Sequence, residues 1–355
     1  MSHNLTINKL SGTHEMFYVQ ETPWHGLGHR VDQALTSEEA LKTAELGWSV
    51  KKFPLQVVLP DPKVNGAKQF EDVTDKQAIY RTDTMEYLGV VGSGFHPIQN
   101  CDAFKILDDL VGSQEAMFHT AGSLGGGVRV WALVKLPEQL VVVGDDVVDQ
   151  YLLLANGHDG SLALTMRFTP IRVVCENTLM ASMGAGYVNG KFRQKKVPDG
   201  MYVRHTANAD VRVEEARRVL GIAVKYFEVA GERYRAMSAR QVTSTMLDQY
   251  FKRVFPLSVP EHPTMDQVSA AVKKQKELHE TLAFLFQEGR GNQLKGVSGT
   301  AWAAFNAVTE WVDHVYPVTK GGQLKKNGLE TALFGTGQDI RNRAMAEAEV
   351  LLATA

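Results

Sequence analysis

Residues 151–186 read YLLLANGHDGSLALTMRFTPIRVVCENTLMASMGAG. An apolar run at 151–155 gives way to Asn156-Gly157-His158-Asp159-Gly160, a group rich in turn-forming residues, and a second strand-like run fills 161–168. Apolar runs of this length between Gly and Asn clusters predict two β-strands joined as a hairpin. A third run follows Pro170 with Ile171, Val173, Val174 and Cys175, interrupted by Arg172. Asn177-Thr178 then predicts the N-cap of a helix that opens at Leu179 and closes near Gly184 or Gly186. His158, Asp159, Arg167, Arg172, Glu176, Asn177 and Thr178 punctuate what reads as a buried sheet, where a charge is costly unless paired or used.

The 355 residues are 44% hydrophobic, enough for a sizeable core and two domains. No run of about 18 apolar residues predicts a membrane span, and the N-terminus lacks the basic-then-apolar layout of a signal peptide. Two cysteines, Cys101 and Cys175, provide neither a disulfide framework nor zinc-knuckle spacing. A reducing cytoplasm is the expected setting. The net charge of −2 conceals an asymmetry: residues 1–150 hold 12 Lys+Arg and 20 Asp+Glu, and residues 151–355 hold 26 and 20. The sharpest basic excess lies in 165–205, with Arg167, Arg172, Lys191, Arg193, Lys195, Lys196 and Arg204 against Glu176 and Asp199. Such a strip points to a local anionic partner, or else to a solvated loop.

Thr36-Ser37-Glu38-Glu39 forms a capping box ahead of Ala40, Leu41 and Ala44, with Gly47 as the expected C-terminal stop. Trp48 opens an extended segment to Leu59; residues 77–80 and 87–91 alternate like paired strands. Asn100 is the expected cap of a helix over 101–110. Gly122, Gly125, Gly126 and Gly127 predict a glycine-tipped hairpin between 117–121 and 128–136. Asp145, Asp146 and Asp149 suggest a cation-binding cluster or an exposed turn and helix start. From 211 onward the pattern turns helical: a stripe over 211–234, a helix capped by Ser238, a T-x-x-Q box at Thr264, a helix opened by Ser298 or Thr300, and an Ala-rich helix over 336–352. That last-but-one helix places Trp302, Phe305, Val308, Val312 and Val315 inside, with Asn306, Thr309, Glu310 and Asp313 on an adjoining face. The expected fold is therefore α+β: a mostly antiparallel sheet with hairpins and short helices in 1–205, followed by a helical part in 206–355.

Three chemistries compete. Single-strand nucleic-acid binding needs cations for phosphates and aromatics for bases. Arg167, Arg172, Lys191, Arg193, Lys195, Lys196 and Arg204 meet the first need, and Tyr187, Phe192 and Tyr202 interleave with them. A hydrolase would draw on His158, Asp159, Arg172, Cys175 and Asn177 at the end of the central hairpin, with Mg²⁺ only if it is a nuclease. No candidate pair among His158-Asp159, His96, His119 and Asp313-His314 has zinc-site spacing, and neither a resident metal nor a cofactor is expected. A protein-binding inhibitor of a host system would use the helical part as its docking surface.

The motifs W-H-G-L-G (24–28), G-W-S-V (47–50), A-N-G-H-D-G-S (155–161), R-V-V-C-x-N-T-L (172–179) and F-N-A-V-T-E-W-V-D-H (305–314) resemble the phage- and plasmid-like proteins of the domain-of-unknown-function family numbered 932. The resemblance spans nearly the whole chain and implies a phage, prophage or plasmid origin in a bacterial cytoplasm; it supplies no activity, site or cofactor. A helix, Gly-Trp, strand and hairpins followed by a helix also resembles the core of Rad-fifty-two-like single-strand annealing proteins. That likeness implies a homo-oligomer engaged with single-stranded DNA in annealing or recombination, and transfers no binding residues.

Overall fold

The computed structural model describes residues 5–19, 27–32, 35–60, 68–108, 116–172, 177–178, 185–188, 191–194, 201–207, 223–316 and 336–353. The chain divides into two compact units. One comprises Met1–Lys135, Leu152–Arg167 and Met183–Gly221; the other comprises Leu136–Tyr151, Phe168–Ser182 and Ile222–Ala355. The fold is α+β, with a mostly antiparallel main sheet and a helical C-terminal region.

In chain order the elements are β1 (Met16–Val19), β2 (His29–Val31), α1 (Ser37–Thr43), β3 (Val50–Pro60), β4 (Lys68–Arg81), β5 (Tyr87–Gly92), α2 (Asn100–Lys105), β6 (Met117–Leu124), β7 (Arg129–Val143), β8 (Asp146–Gly157) and β9 (Leu164–Arg172). Short strands follow: β10 (Asn177–Thr178), β11 (Ala185–Val188), β12 (Lys191–Gln194) and β13 (Met201–Val203). The helices are α3 (Ala223–Ala239), α4 (Ser244–Val254), α5 (Met265–Glu288), α6 (Ala301–Glu310), a π-turn at Trp311–Val315, and α7 (Thr336–Ala353). The main sheet runs β10-β9-β8-β7-β6-β1-β2, with β13 also on β9; β3-β4-β5 form a separate meander and β11-β12 a two-stranded ribbon. Among the described residues no helix is long and apolar enough to cross a membrane.

Local chemistry explains several of these boundaries. Thr36 accepts from the Glu39 amide while Glu39 Oε2 accepts from the Thr36 amide at 2.8 Å, the expected capping box. The left-handed residue after α1 is Glu45 (φ 57°), not Gly47; its carboxylate accepts from Ser11 and Thr13, which anchors a side chain in a conformation unfavourable to it. The glycine-tipped hairpin between β6 and β7 is present, with Gly125, Gly126 and Gly127 all at positive φ. At Gly127 a Cβ would lie 3.0 Å from the Trp48 ring, so close packing as well as turn geometry requires glycine. β7 continues through Pro137, because its pairing with β6 ends at Lys135 and proline's missing donor is not needed on that side. Asp146 and Asp149 begin β8 rather than a helix and are buried. Asn177-Thr178 is a strand paired with Arg172 and Ile171, not a helix cap; the helix expected from Leu179 lies outside the described residues. α3 runs through Ser238, whose hydroxyl donates back to the Arg235 carbonyl, and Thr243 caps α4 instead.

In the second unit, Val142 and Val148 from the β7–β8 hairpin join Tyr234, Tyr250, Phe251, Leu282, Trp302, Phe305 and Val308 in one apolar core. α6 is its axis. It is buried all round: Asn306, Thr309 and Glu310, expected on a face adjoining the apolar stripe, are interior, as is Asp313 in the π-turn, whereas Val315, expected inside, is exposed. Each of these buried side chains makes at least one polar contact. Asn306 Nδ2 donates to the Trp302 carbonyl, Glu310 Oε2 accepts from the Arg290 amide, and Asp313 pairs with the buried Arg341. Thr264 with Gln267 and Thr300 with Ala303 cap α5 and α6 as the sequence predicts.

Candidate functional sites: a basic ribbon and a buried histidine cluster

β11 and β12 pair antiparallel, with Tyr187 opposite Phe192, Gly186 opposite Arg193 and Val188 opposite Lys191. The pairing therefore gathers Tyr187, Phe192, Lys191 and Arg193 in one two-stranded ribbon. Four of the expected nucleic-acid-binding residues are thus brought into one small element. The others are spread. Tyr202 lies in β13 opposite Thr165 and is half-buried, and Arg204 follows it, exposed. Arg167, in β9, is buried. Arg172 ends β9 opposite Asn177. Lys195, Lys196 and Cys175 lie outside the described residues.

His158, the first residue of the β8–β9 connection, is fully buried. Its Nε2 lies 3.0 Å from Asn100 Oδ1. Asn100 Nδ2 already donates to the Leu46 and Trp48 carbonyls at 2.9 and 3.2 Å, which leaves its Oδ1 as the acceptor. That assigns the proton of the neutral ring to Nε2 and leaves Nδ1 as a bare acceptor, with no hydrogen-bond partner among the described residues. Burial pushes the His158 pKa down to about 3, helped by His205 and Arg81 nearby. His205 is buried too; it stacks on Phe95 and its Nδ1 accepts from the Ile98 amide at 3.2 Å. Burial lowers its pKa to about 4, against the raising effect of backbone hydrogen bonding at His96 and Leu162 and of the Asp159 charge. Asp159 accepts from the Ser161 amide at 2.9 Å and lies 3.9 Å from Arg129. Asn156 donates to the Ile98 carbonyl. The A-N-G-H-D-G-S stretch thus clamps the segment around α2 to the sheet with neutral imidazoles. Asn100 is a hub of this clamp rather than the N-cap of α2, which is Gln99.

Beside it sits a charge cluster that the sequence did not disclose. Arg81, at the end of β4, is wholly buried; its Nη2 lies 2.7 Å from Glu15 Oε1 and 2.7 Å from Asp83 Oδ2. Its guanidinium also lies 4.3 Å over the Trp48 ring, and Trp48 in turn meets His158 edge-on at 5.4 Å. Ser123 Oγ donates to Glu15 Oε2 at 2.5 Å. Burial raises the Glu15 pKa although Arg81 and Ser123 hold it down; at the less buried Asp83 the same burial effect is outweighed by Arg81 and the pKa falls. Asp83 two residues after Arg81 was the one local signal, since Glu15 is 66 positions away. Among the described residues no three His, Cys, Asp or Glu side chains group as a metal site.

A model of one protein family matches residues 87–334, from β5 to beyond the π-turn. The chain belongs to the family described as Domain of unknown function (DUF932). No curated protein and no solved structure matches it. The DUF932 match takes in the histidine stretch, the basic ribbon and α6; Glu15, Trp48 and Arg81 precede it.

Proposed function

We propose that this DUF932 chain is a phage or plasmid accessory protein that binds single-stranded nucleic acid and works as a homo-oligomer in annealing or recombination. The observation that carries this reading is the pairing of β11 with β12, which brings Tyr187, Phe192, Lys191 and Arg193 together in one ribbon. A ribbon that gathers aromatic and cationic residues holds the two requirements of sequence-tolerant single-strand binding, rings for bases and cations for phosphates. The order α1, three-stranded antiparallel meander β3-β4-β5, α2 supports the likeness to annealing proteins, as analogy of fold alone. The test is a native gel shift with labelled single-stranded and duplex DNA, at low and moderate salt, with and without magnesium. The reading expects a salt-sensitive shift selective for the single strand with the probe intact. A probe shortened only with magnesium would assign the chain to a metal-dependent nuclease instead, and no shift would remove DNA as the partner.

A further inference from the structure

One face of the β3-β4-β5 meander is buried through Val50, Ile79 and Val91. The other carries an aromatic row. Lys51, Tyr80 and Tyr87 are register partners across the three strands, and Phe53, Ala78 and Val90 form the adjoining row. Tyr80 meets Phe53 and Tyr87 edge-on, each at 5.6 Å between ring centroids. Tyr87 is 56% exposed, Val90 45% and Phe53 36%, so the rings pack on one another and still face solvent.

We propose that this face is a stacking platform for the unpaired bases of a single nucleic-acid strand. The proposal rests on the nucleic-acid reading above and gives it a contact surface separate from the basic ribbon. Aromatic rings on a sheet accept any base, because every base has a π-face. Mutual edge-on packing holds the rings in place before the ligand arrives, which lowers the entropy lost on binding. Lys51 heads the row, exposed and without an ion-pair partner among the described residues, and supplies a phosphate contact beside the rings. Lys76, on the same face, shares its charge with Asp75 at 3.8 Å. An isolated aromatic patch would suit a protein partner equally; the exposed lysine at the end of the row favours a polyanion.

The experiment measures fluorescence anisotropy with two labelled oligomers of equal length, oligothymidylate and an abasic deoxyribose-phosphate chain. The wild-type protein is expected to prefer oligothymidylate by roughly 10-fold or more. Phe53→Ala/Tyr87→Ala is expected to reduce that preference several-fold, leaving only what the ribbon's aromatic residues supply. Tyr87→Leu keeps apolar bulk on the strand without a ring, so it preserves the fold and is expected to reduce the preference too. Lys191→Glu/Arg193→Glu is expected to weaken binding to both oligomers while the preference persists. If the ring variants keep the wild-type preference for bases, the platform is overturned and the nucleic-acid reading stands. If the wild-type protein binds neither oligomer, both fail together.

Discussion

The indole nitrogen of Trp302 donates a 2.6 Å hydrogen bond to the carboxylate of Asp146, 156 positions earlier in the chain, with both side chains buried. This bond joins the first residue of β8 to the axial helix of the second unit. It accounts for an aspartate placed in an apolar environment beside Val148 and Val142. Asp146→Ala leaves the indole N–H unsatisfied and is expected to cost about 2 kcal/mol, read as a lower midpoint in chemical denaturation. Asp146→Asn retains an acceptor oxygen and should cost clearly less. Equal losses for the two variants would mean that charge, not the hydrogen bond, matters there.

Arg81 is expected to behave as an interior charge whose partners cannot be removed singly. Glu15→Ala leaves the guanidinium with Asp83 and the face of Trp48, and should destabilise by about 3 kcal/mol, the range for breaking a buried pair. Arg81→Lys should also be costly, because an ammonium cannot span Glu15 and Asp83 while lying flat on an indole. Thermal denaturation of the two variants checks this, and wild-type midpoints for both would refute it.

The buried imidazoles make stability depend on pH in a defined direction. His158 and His205 have folded pKa values of about 3 and about 4, below the ordinary 6.5. The unfolded chain therefore binds protons first as pH falls, so their contribution is whole above pH 6.5 and is lost progressively towards pH 4 and 3. By pH 5 the loss amounts to about 2 kcal/mol for each histidine. A melting series from neutral pH to pH 4.5 should decline steadily. His158→Gln, which keeps a donor towards Asn100, should flatten the decline; an identical slope in the variant would show that other groups govern it.

Signals that act over a few residues were legible in the sequence. The Thr36–Glu39 and Thr264–Gln267 boxes, the glycine-tipped β6–β7 hairpin and the apolar stripe of α6 follow from spacing and side-chain chemistry alone. Long-range partnerships were not. Asn100 reads as a helix cap because Asn favours that position, yet its amide serves the Leu46 and Trp48 carbonyls and His158. Asn177-Thr178 reads as a cap for the same reason, and pairing with β9 overrides it. The polar residues of α6 and the π-turn suggest a solvent-facing stripe, because periodicity reports a face but not whether another element covers it. The candidate nucleic-acid site was half visible: the basic and aromatic residues of 187–193 stand out by composition, and only the pairing of β11 with β12 joins them in one element. The Phe53–Tyr80–Tyr87 row was hidden because its members lie far apart along the chain.

The most direct test of single-strand binding is an anisotropy titration of the wild-type protein with labelled oligothymidylate and with the corresponding duplex, from about 50 to about 200 mM salt. Lys191→Glu/Arg193→Glu is titrated in parallel. The account predicts tighter binding to the single strand, a steep fall in affinity with salt, and a weaker, less salt-dependent interaction for the charge-reversed ribbon. Equal affinity for duplex and single strand, or a variant that binds like wild type at every salt concentration, would contradict it.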